Sequence, residues 1–192
     1  MTDPHPAEIK DALRREAFAR RDALDPASRA EASTRIMERV LALPELAASH
    51  IVGAYWPMRS EVDVRPLMEA LASRGQSVAL SQVRHPHLSW RLWAPGDLLI
   101  RGGFGVREPG PDAPECFPDA LLVPLAAFDR RGGRLGYGKG HFDRSIAELA
   151  RLRPVLAIGV AFGVQEIAGV PLEPHDRRLD VVATESETIR TA

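Results

Sequence analysis

The chain alternates between two apolar patterns, one typical of helices and one typical of buried strands. In the helical segments apolar residues recur at three- and four-residue spacing, as Ile9, Leu13 and Ala17 do near the N-terminus. This spacing predicts helices over residues 6–24, 26–43, 66–75 and 141–152, the second capped by Asp25 ahead of Pro26. Runs that are apolar throughout or at every second position predict strands over residues 50–56, 77–83, 87–93, 119–128, 154–162 and 179–185.

Strands that alternate with helices favour an α/β fold. We predict a three-layer sandwich with a mostly parallel, Rossmann-like central sheet and helices on both faces. Residues 1–192 are expected to form a single domain, with the two N-terminal helices packed on the α/β core. Residues 94–118, rich in Pro and Gly, are predicted to be a surface loop. Ligands bind such sheets beyond the carboxyl ends of the strands, and the strand at 119–128 leads directly into the most glycine-rich part of the chain.

Composition and charge narrow the possible functions. The chain is 45% hydrophobic and 27% charged, with a net charge of −1, which argues against non-specific binding to nucleic acid or to anionic membranes. Its longest apolar runs are too short to span a bilayer, and the first residues lack the order of a secretory signal. The single cysteine, Cys116, excludes an internal disulfide and a cysteine metal cluster. We expect a cytoplasmic monomer that acts on small molecules and binds neither nucleic acid nor membrane.

Residues 131–144, RGGRLGYGKGHFDR, form what we call the glycine segment, with five glycines in fourteen positions. Gly133, Gly138 and Lys139 match the phosphate-loop pattern Gly-x-x-x-x-Gly-Lys-[Ser/Thr], but a glycine stands where that pattern has a hydroxyl for magnesium. Glycine backbone N–H groups, the start of a helix and a lysine together suit a phosphate group. Arg134 adds a forked donor, and Asp143 in the first helical turn is placed to hold the metal instead.

The glycine spacing by itself leaves a purely structural alternative open. Glycines between a strand and a helix often serve only to make a tight corner, and an aspartate in a first turn often interacts only with the helix dipole. A dinucleotide site fits poorly, because the spacing is not Gly-x-Gly-x-x-Gly and the segment lies late in the chain. An RNA-binding protein is disfavoured by the near-neutral charge and by only 6% aromatic residues.

The same residues, taken with three other stretches, resemble a known family. RGGRLGYGKGHFDR is similar to the signature of the 5-formyltetrahydrofolate cyclo-ligase family, roughly G-x-R-L-G-x-G-x-G followed by two aromatic residues and Asp. Lys10 and Arg14 resemble the family's early Lys-x-x-x-Arg element. YWPMRSEVDVRPLM at 55–68 resembles its strand and following turn, and PLEPHDRRLDVVATE at 171–185 its closing segment. These four landmarks occur in the family's order from residue 10 to about residue 185.

The resemblance implies an ATP- and Mg²⁺-dependent ring closure. The γ-phosphoryl group of ATP would pass to the formyl oxygen of 5-formyltetrahydrofolate, nitrogen N10 would attack the activated carbon, and phosphate would leave. The products are 5,10-methenyltetrahydrofolate, ADP and phosphate. Such chemistry needs cations, N–H donors and a metal more than a nucleophile. A non-catalytic paralogue that binds the same ligands is the alternative, and the retained metal acids speak against it.

The resemblance also implies a role for each matching position. Catalysis would involve Lys139, Arg134 and Tyr137. ATP would be bound by Lys10, Arg14, Arg134, Leu135, Gly136, Tyr137, Gly138, Lys139, Gly140, His141 and Phe142. The folate would be bound by Trp56, Glu61, Tyr137, Gly138, Lys139, Gly140 and His141, and Mg²⁺ by Asp143 and Asp176. His141 departs from the family pattern, which has an aromatic residue there. The structural alternatives are a core position for Trp56, a solvated turn for Glu61 and a solvated helix face for Lys10 and Arg14.

Overall fold

The computed structural model describes residues 6–191. The helices in this range are α1 (Pro6–Asp22), α2 (Pro26–Leu41), α3 (Pro44–Ala47), α4 (Arg65–Ser73) and α5 (His141–Leu149). The strands are β1 (Ile51–Ala54), β2 (Ser77–Arg84), β3 (His87–Trp93), β4 (Leu99–Arg101), β5 (Arg107–Pro109), β6 (Ala120–Val123), β7 (Ala127–Phe128), β8 (Arg134–Leu135), β9 (Leu156–Val160), β10 (Val181–Ala183) and β11 (Thr188–Arg190). Short 3-10 turns lie at Gly103–Gly105 and Gly163–Gln165.

Seven of the strands form the central sheet, in the order β11-β10-β9-β6-β1-β2-β3. Strands β10, β9, β6, β1 and β2 run parallel, and the edge strands β3 and β11 are antiparallel to their neighbours. In the register, Val52 of β1 lies beside Val78 of β2 on one side and Ala120 of β6 on the other. The predicted mostly parallel sheet is confirmed.

Alternate strand residues point to opposite sides of this sheet, so each face carries apolar side chains. Helices cover both faces. Leu122 of β6 belongs to the core that α2, α3 and α4 complete, with Ile36 and Leu67 among its buried residues. The adjacent Leu121 belongs to the opposite core, which Ile146 of α5 joins. Asp25 caps α2 by accepting the backbone N–H groups of the following turn, as predicted. The three-layer sandwich is therefore confirmed.

Helix α1 packs away from both of these cores, on a small cluster beside the sheet. Its buried Ala17 belongs to one apolar cluster with Ala127 and Leu135, from β7 and β8, and with Val170. The first helix is thereby attached to the segment that carries the glycines, and its Arg14 and Arg21 side chains reach that segment.

The strand order reverses between β1 and β6. From β1 the chain continues to β2 on one side, whereas β6 and its successors β9 and β10 lie on the other. Loops that leave the carboxyl ends of two such strands diverge and leave a crevice between them. Residues 55–64 follow β1, and the hairpin β7–β8 with the glycine segment follows β6.

The sequence prediction fails mainly for short elements. Residues 94–118 include the antiparallel ribbon β4–β5, although we predicted an irregular loop. The strand predicted at 119–128 ends at Val123, and its last residues belong to the separate hairpin β7–β8. The edge strand β11 and the one-turn helix α3 were not predicted. Within residues 6–191 no helix has the length and apolar character needed to cross a bilayer.

Candidate functional site

The first half of the glycine segment is a hairpin turn and not a phosphate cradle. Asp129 is 2% exposed, and its carboxylate accepts the backbone N–H groups of Arg131, Gly133 and Val170 at 2.9, 3.0 and 2.8 Å. Gly132 has φ +80°, and a Cβ there would lie 2.5 Å from a backbone carbonyl oxygen. The Gly133 N–H is already bound to an internal carboxylate, so at this position the glycine serves the tight turn that the sequence left open as an alternative.

The second half of the segment forms an open loop at residues 136–140 in front of α5. Gly138 and Gly140 have φ +86° and +63°, a backbone region that favours glycine, and Gly140 directly precedes the helix. Lys139 is exposed, and its amine makes no hydrogen bond or ion pair within residues 6–191. The loop thus places the N-terminus of α5 next to an exposed cation that has no side-chain partner among the described residues.

Helix α1 brings Arg14 onto this loop. The Arg14 Nε atom donates to the carbonyl oxygen of Gly136 at 2.9 Å. The guanidinium carbon lies 3.6 Å from the position that a Cβ on Gly138 would occupy. Arg14 and the loop, which are more than a hundred residues apart in sequence, are therefore in direct contact.

Lys10, one helical turn before Arg14, is buried between two acids. Its Nζ lies 2.6 Å from Glu173 Oε2 and 2.7 Å from Asp176 Oδ2. Burial by itself lowers the pKa of the Lys10 amine, but the two carboxylates outweigh burial and the net shift is upward. The same ion pair, with an N–H from Glu173, lowers the pKa of Asp176 against the effect of its own burial. Lys10 is thus charged and held by the acids.

The two residues predicted to bind metal lie at neighbouring places, and each is bound by a cation. The Asp143 Oδ1 atom accepts from Arg134 at 2.7 Å and from the backbone N–H of Arg177 at 2.9 Å. Arg177 directly follows Asp176, the acid that binds Lys10. The described part of the chain has no group of three or more His, Cys, Asp or Glu side chains arranged to hold a metal. Two carboxylates suffice for Mg²⁺ when phosphates and water complete its shell.

Tyr137 joins the loop to the residues after β1. Its hydroxyl donates to Glu61 Oε1 at 2.8 Å, while Glu61 Oε2 accepts the N–H of Met58 at 2.7 Å. Burial raises the pKa of Glu61, and these donors only partly oppose that effect. Burial, with the nearby Glu61 charge, raises the pKa of Tyr137 to about 12, so its hydroxyl remains a donor at neutral pH.

Other predicted residues are placed less directly. Leu135 is buried against α1, and the Phe142 ring packs edge-on against Trp90 at 6.1 Å, so any contact from these two positions to a nucleotide would come from the backbone. Trp56 is half-buried, with the Arg65 guanidinium 5.8 Å from its ring centre. Burial lowers the pKa of His141, and the neighbouring positive charges lower it further.

Comparison with known proteins identifies the family. The model of the 5-formyltetrahydrofolate cyclo-ligase family matches residues 6–185. The chain belongs to this family. It is 31% identical over 176 residues to the 5-formyltetrahydrofolate cyclo-ligase of Escherichia coli, which covers 88% of this chain and 96% of that protein. It is 34% identical over 146 residues to the Mycolicibacterium smegmatis cyclo-ligase, which covers 69% and 72% of the two chains.

A solved structure agrees with this assignment. The NMR structure of Aquifex aeolicus 5,10-methenyltetrahydrofolate synthetase superimposes with a TM-score of 0.82 at 31% identity, covering 95% of this chain and 92% of that one. The resemblance noted in the sequence is thus confirmed, as is the prediction that the chain is an enzyme of the cyclo-ligase family.

Sequence reasoning missed two residues that contact the predicted ones. Glu173 shares Lys10 with Asp176, and Arg21 donates to the Tyr137 hydroxyl at 3.3 Å. The sequence carries a signal for Arg21, because positions 10, 14, 17 and 21 have the spacing of one helix face and Arg21 therefore lies on the face of Lys10 and Arg14.

Proposed function

We propose that this cyclo-ligase family member closes the ring of 5-formyltetrahydrofolate at the expense of ATP and with Mg²⁺. The γ-phosphoryl group passes to the formyl oxygen, N10 attacks the formyl carbon, and the C–O bond breaks as phosphate leaves, giving 5,10-methenyltetrahydrofolate, ADP and phosphate. One observation carries the proposal. The loop at 136–140 contacts Arg14 on one side and Glu61, through Tyr137, on the other. The proposed phosphate-binding and folate-binding groups therefore meet at one loop.

Cations supply the phosphate side of the proposed site. Phosphoryl transfer depends chiefly on positioning and on charge stabilisation. Lys139 is the uncommitted charge for the transferring group, whereas Lys10 and Arg134 are held by Asp176 and Asp143. Binding of a triphosphate would give these two cations phosphate oxygens as partners and release the carboxylates. The existing ion pairs thus hold both cations in position before the triphosphate binds.

Asp143 and Asp176 would then hold Mg²⁺. When bound, the ion neutralises phosphate charge and orients the end group of the nucleotide. Within this chain, the backbone N–H of Arg177 fixes the Asp143 carboxylate, and the N–H of Glu173 fixes Asp176 at 2.8 Å. Both acids keep a backbone donor when their cation partners turn to phosphate, so both remain oriented for a metal that arrives with the nucleotide.

Glu61 and Trp56 would bind the folate. The Glu61 carboxylate is buried and accepts from two donors, which leaves acceptor capacity for the N–H groups of a pterin ring. A half-buried tryptophan ring offers an apolar face for stacking. Tyr137, Gly138 and Lys139 would lie where the formyl group meets the γ-phosphate.

The proposal predicts that purified protein, 5-formyltetrahydrofolate and MgATP yield methenyl product and ADP in equal amounts. Product is followed by its ultraviolet absorbance and ADP by chromatography, and omission of Mg²⁺ is the control that should stop both. Binding of ATP and folate without either product would show a non-catalytic paralogue. ADP formed without the methenyl product would contradict the proposed coupling.

A lysine-labelling experiment tests the nucleotide site without measuring turnover. We expect N-hydroxysuccinimidyl acetate to acetylate Lys139 well before Lys10, because Lys139 is exposed and Lys10 is buried in two ion pairs. Saturating MgATP should slow acetylation of Lys139 about tenfold, by occupying its amine with phosphate. Mass spectrometry of proteolytic fragments measures both rates. Adenosine, which lacks phosphates, is the matched control and should not protect; equal rates with and without ATP would place the phosphates elsewhere.

A further inference from the structure

Arg21, at the end of α1, is a buried arginine whose one ion pair within residues 6–191 is long. It is 2% exposed, and its guanidinium lies 5.0 Å from the centre of the Phe18 ring. The ion-pair distance to Asp22 is 3.9 Å, and the Asp22 side chain is largely exposed. A charge buried in this way is costly to the fold. What Arg21 does contact is therefore informative.

Among the described residues, the hydrogen bonds that Arg21 donates go to two hydroxyl groups. Its Nε donates to Ser60 Oγ at 2.9 Å, and a second nitrogen donates to the Tyr137 hydroxyl at 3.3 Å. A guanidinium has donors and no acceptors. Both hydroxyls must therefore accept from Arg21 and direct their own hydrogens away from it.

Each of these hydrogens points to a carboxylate. The Tyr137 hydroxyl donates to Glu61 at 2.8 Å, and the Ser60 hydroxyl donates to Asp22. Arg21 thereby fixes the direction of a short chain of hydrogen bonds that ends on Glu61. No other described residue donates a side-chain hydrogen bond to the Tyr137 oxygen.

We propose that Arg21 is a positioning residue for the folate, which orients the Tyr137 hydroxyl onto Glu61 and so holds the Glu61 carboxylate in place for the pterin ring. The inference rests on the proposed function, since Glu61 is assigned to the folate there. The proposal gives basic residues of α1 two different roles. Lys10 and Arg14 serve the phosphates, and Arg21 serves the other substrate.

The charges around Glu61 agree with this role. Burial raises the pKa of Glu61, whereas Met58 N–H, the Tyr137 hydroxyl, Arg21 and Arg59 act in the opposite direction. Tyr55 is buried nearby, directly after β1, and burial raises its pKa, so it remains neutral. Removing the charge of Arg21 would leave Arg59 as the cation acting on Glu61. The pKa of Glu61 would rise, and the acid limb of a pH profile that depends on ionised Glu61 would move to higher pH.

The test compares Arg21→Met and Arg21→Lys with wild type. We expect Arg21→Met to raise the KM for 5-formyltetrahydrofolate about tenfold or more, to leave the KM for ATP within about twofold, and to move the acid limb of kcat/KM to higher pH. Arg21→Lys keeps the charge but reaches one hydroxyl at a time, so its folate KM should be intermediate. Arg15→Gln, on the exposed side of the same helix, is the matched control.

A double variant shows whether Arg21 acts through Tyr137. If it does, Arg21→Met combined with Tyr137→Phe should raise the folate KM little more than the larger single effect. Additive effects, an unchanged folate KM, or an equal rise in both KM values would overturn the proposal. If thermal unfolding shows that Arg21→Met is not folded, the proposal is tested with Arg21→Lys instead, by the same KM values and the same double variant with Tyr137→Phe. Product formation by wild type in the same assay separates failure of this inference from failure of the proposed function.

Discussion

Replacement of Lys139 by alanine is expected to lower kcat by about a hundredfold to a thousandfold, with a much smaller change in the KM for folate. Lys139 is exposed on the loop at 136–140, and its amine has no side-chain partner among the described residues. The other three proposed phosphate-binding cations each have a partner: Lys10 and Arg134 bind acids, and Arg14 binds the carbonyl oxygen of Gly136. Lys139 is therefore the cation whose whole charge is available to stabilise the negative charge that develops on the transferring phosphoryl group.

The measurement is steady-state product formation at saturating MgATP, with folding checked by thermal unfolding. Lys139→Arg retains the charge but has a different shape and should recover only part of the rate. Arg151→Ala removes an exposed cation just beyond α5 and should leave kcat within about twofold of wild type. A kcat for Lys139→Ala within about threefold of wild type would show that the transferred group does not lie near this amine.

Periodicity predicted the layers of this fold because long elements repeat their pattern several times. The longer helices each bury an apolar stripe that the sequence shows directly, and the parallel strands lie in apolar runs whose residues enter both cores, as Leu121 and Leu122 do. Strands of two or three residues, such as β7, β8 and β11, are too short to show any period. Their positions depend on contacts across the chain, for example the acceptance of the Val170 N–H by Asp129. Such contacts are not encoded in local spacing.

The same limit applied to the site. Family motifs named the residues, but they did not reveal which of them contact each other. Lys10, predicted to bind ATP, pairs with Asp176, predicted to bind Mg²⁺. The two meet because helix α1 reaches a segment 166 positions later in the chain. For Gly133 the sequence left a phosphate loop and a tight turn both open, and the hydrogen bond of its N–H to Asp129 favours the turn. Residues with clear chemistry were thus easier to predict from the sequence than the ion pairs and hydrogen bonds that they form in the fold.

Asp129→Ala is expected to lower the free energy of unfolding by about 3 kcal/mol, the largest stability change among these predictions. The carboxylate accepts three backbone N–H groups, two of them on the buried residues Gly133 and Val170. Each buried donor left without an acceptor costs about 1–3 kcal/mol. The hairpin that Asp129 closes also carries Arg134, so we expect the variant to bind ATP more weakly as well. Urea unfolding measures the change, and Asp112→Ala, at an exposed position, should differ by less than about 0.5 kcal/mol.

The pH dependence of this difference tests its cause. Burial raises the pKa of Asp129, but the N–H donors of Val170, Gly133 and Arg131 outweigh burial and hold it below its ordinary value. A carboxyl whose pKa is depressed in the fold stabilises it above the unfolded pKa of about 3.9 and loses that contribution as the pH falls toward the folded value. The difference between wild type and Asp129→Ala should therefore be constant from pH 5 to 8 and narrow below about pH 4. A difference that stays the same in acid would mean that lost packing, and not the ionised carboxylate, accounts for the destabilisation.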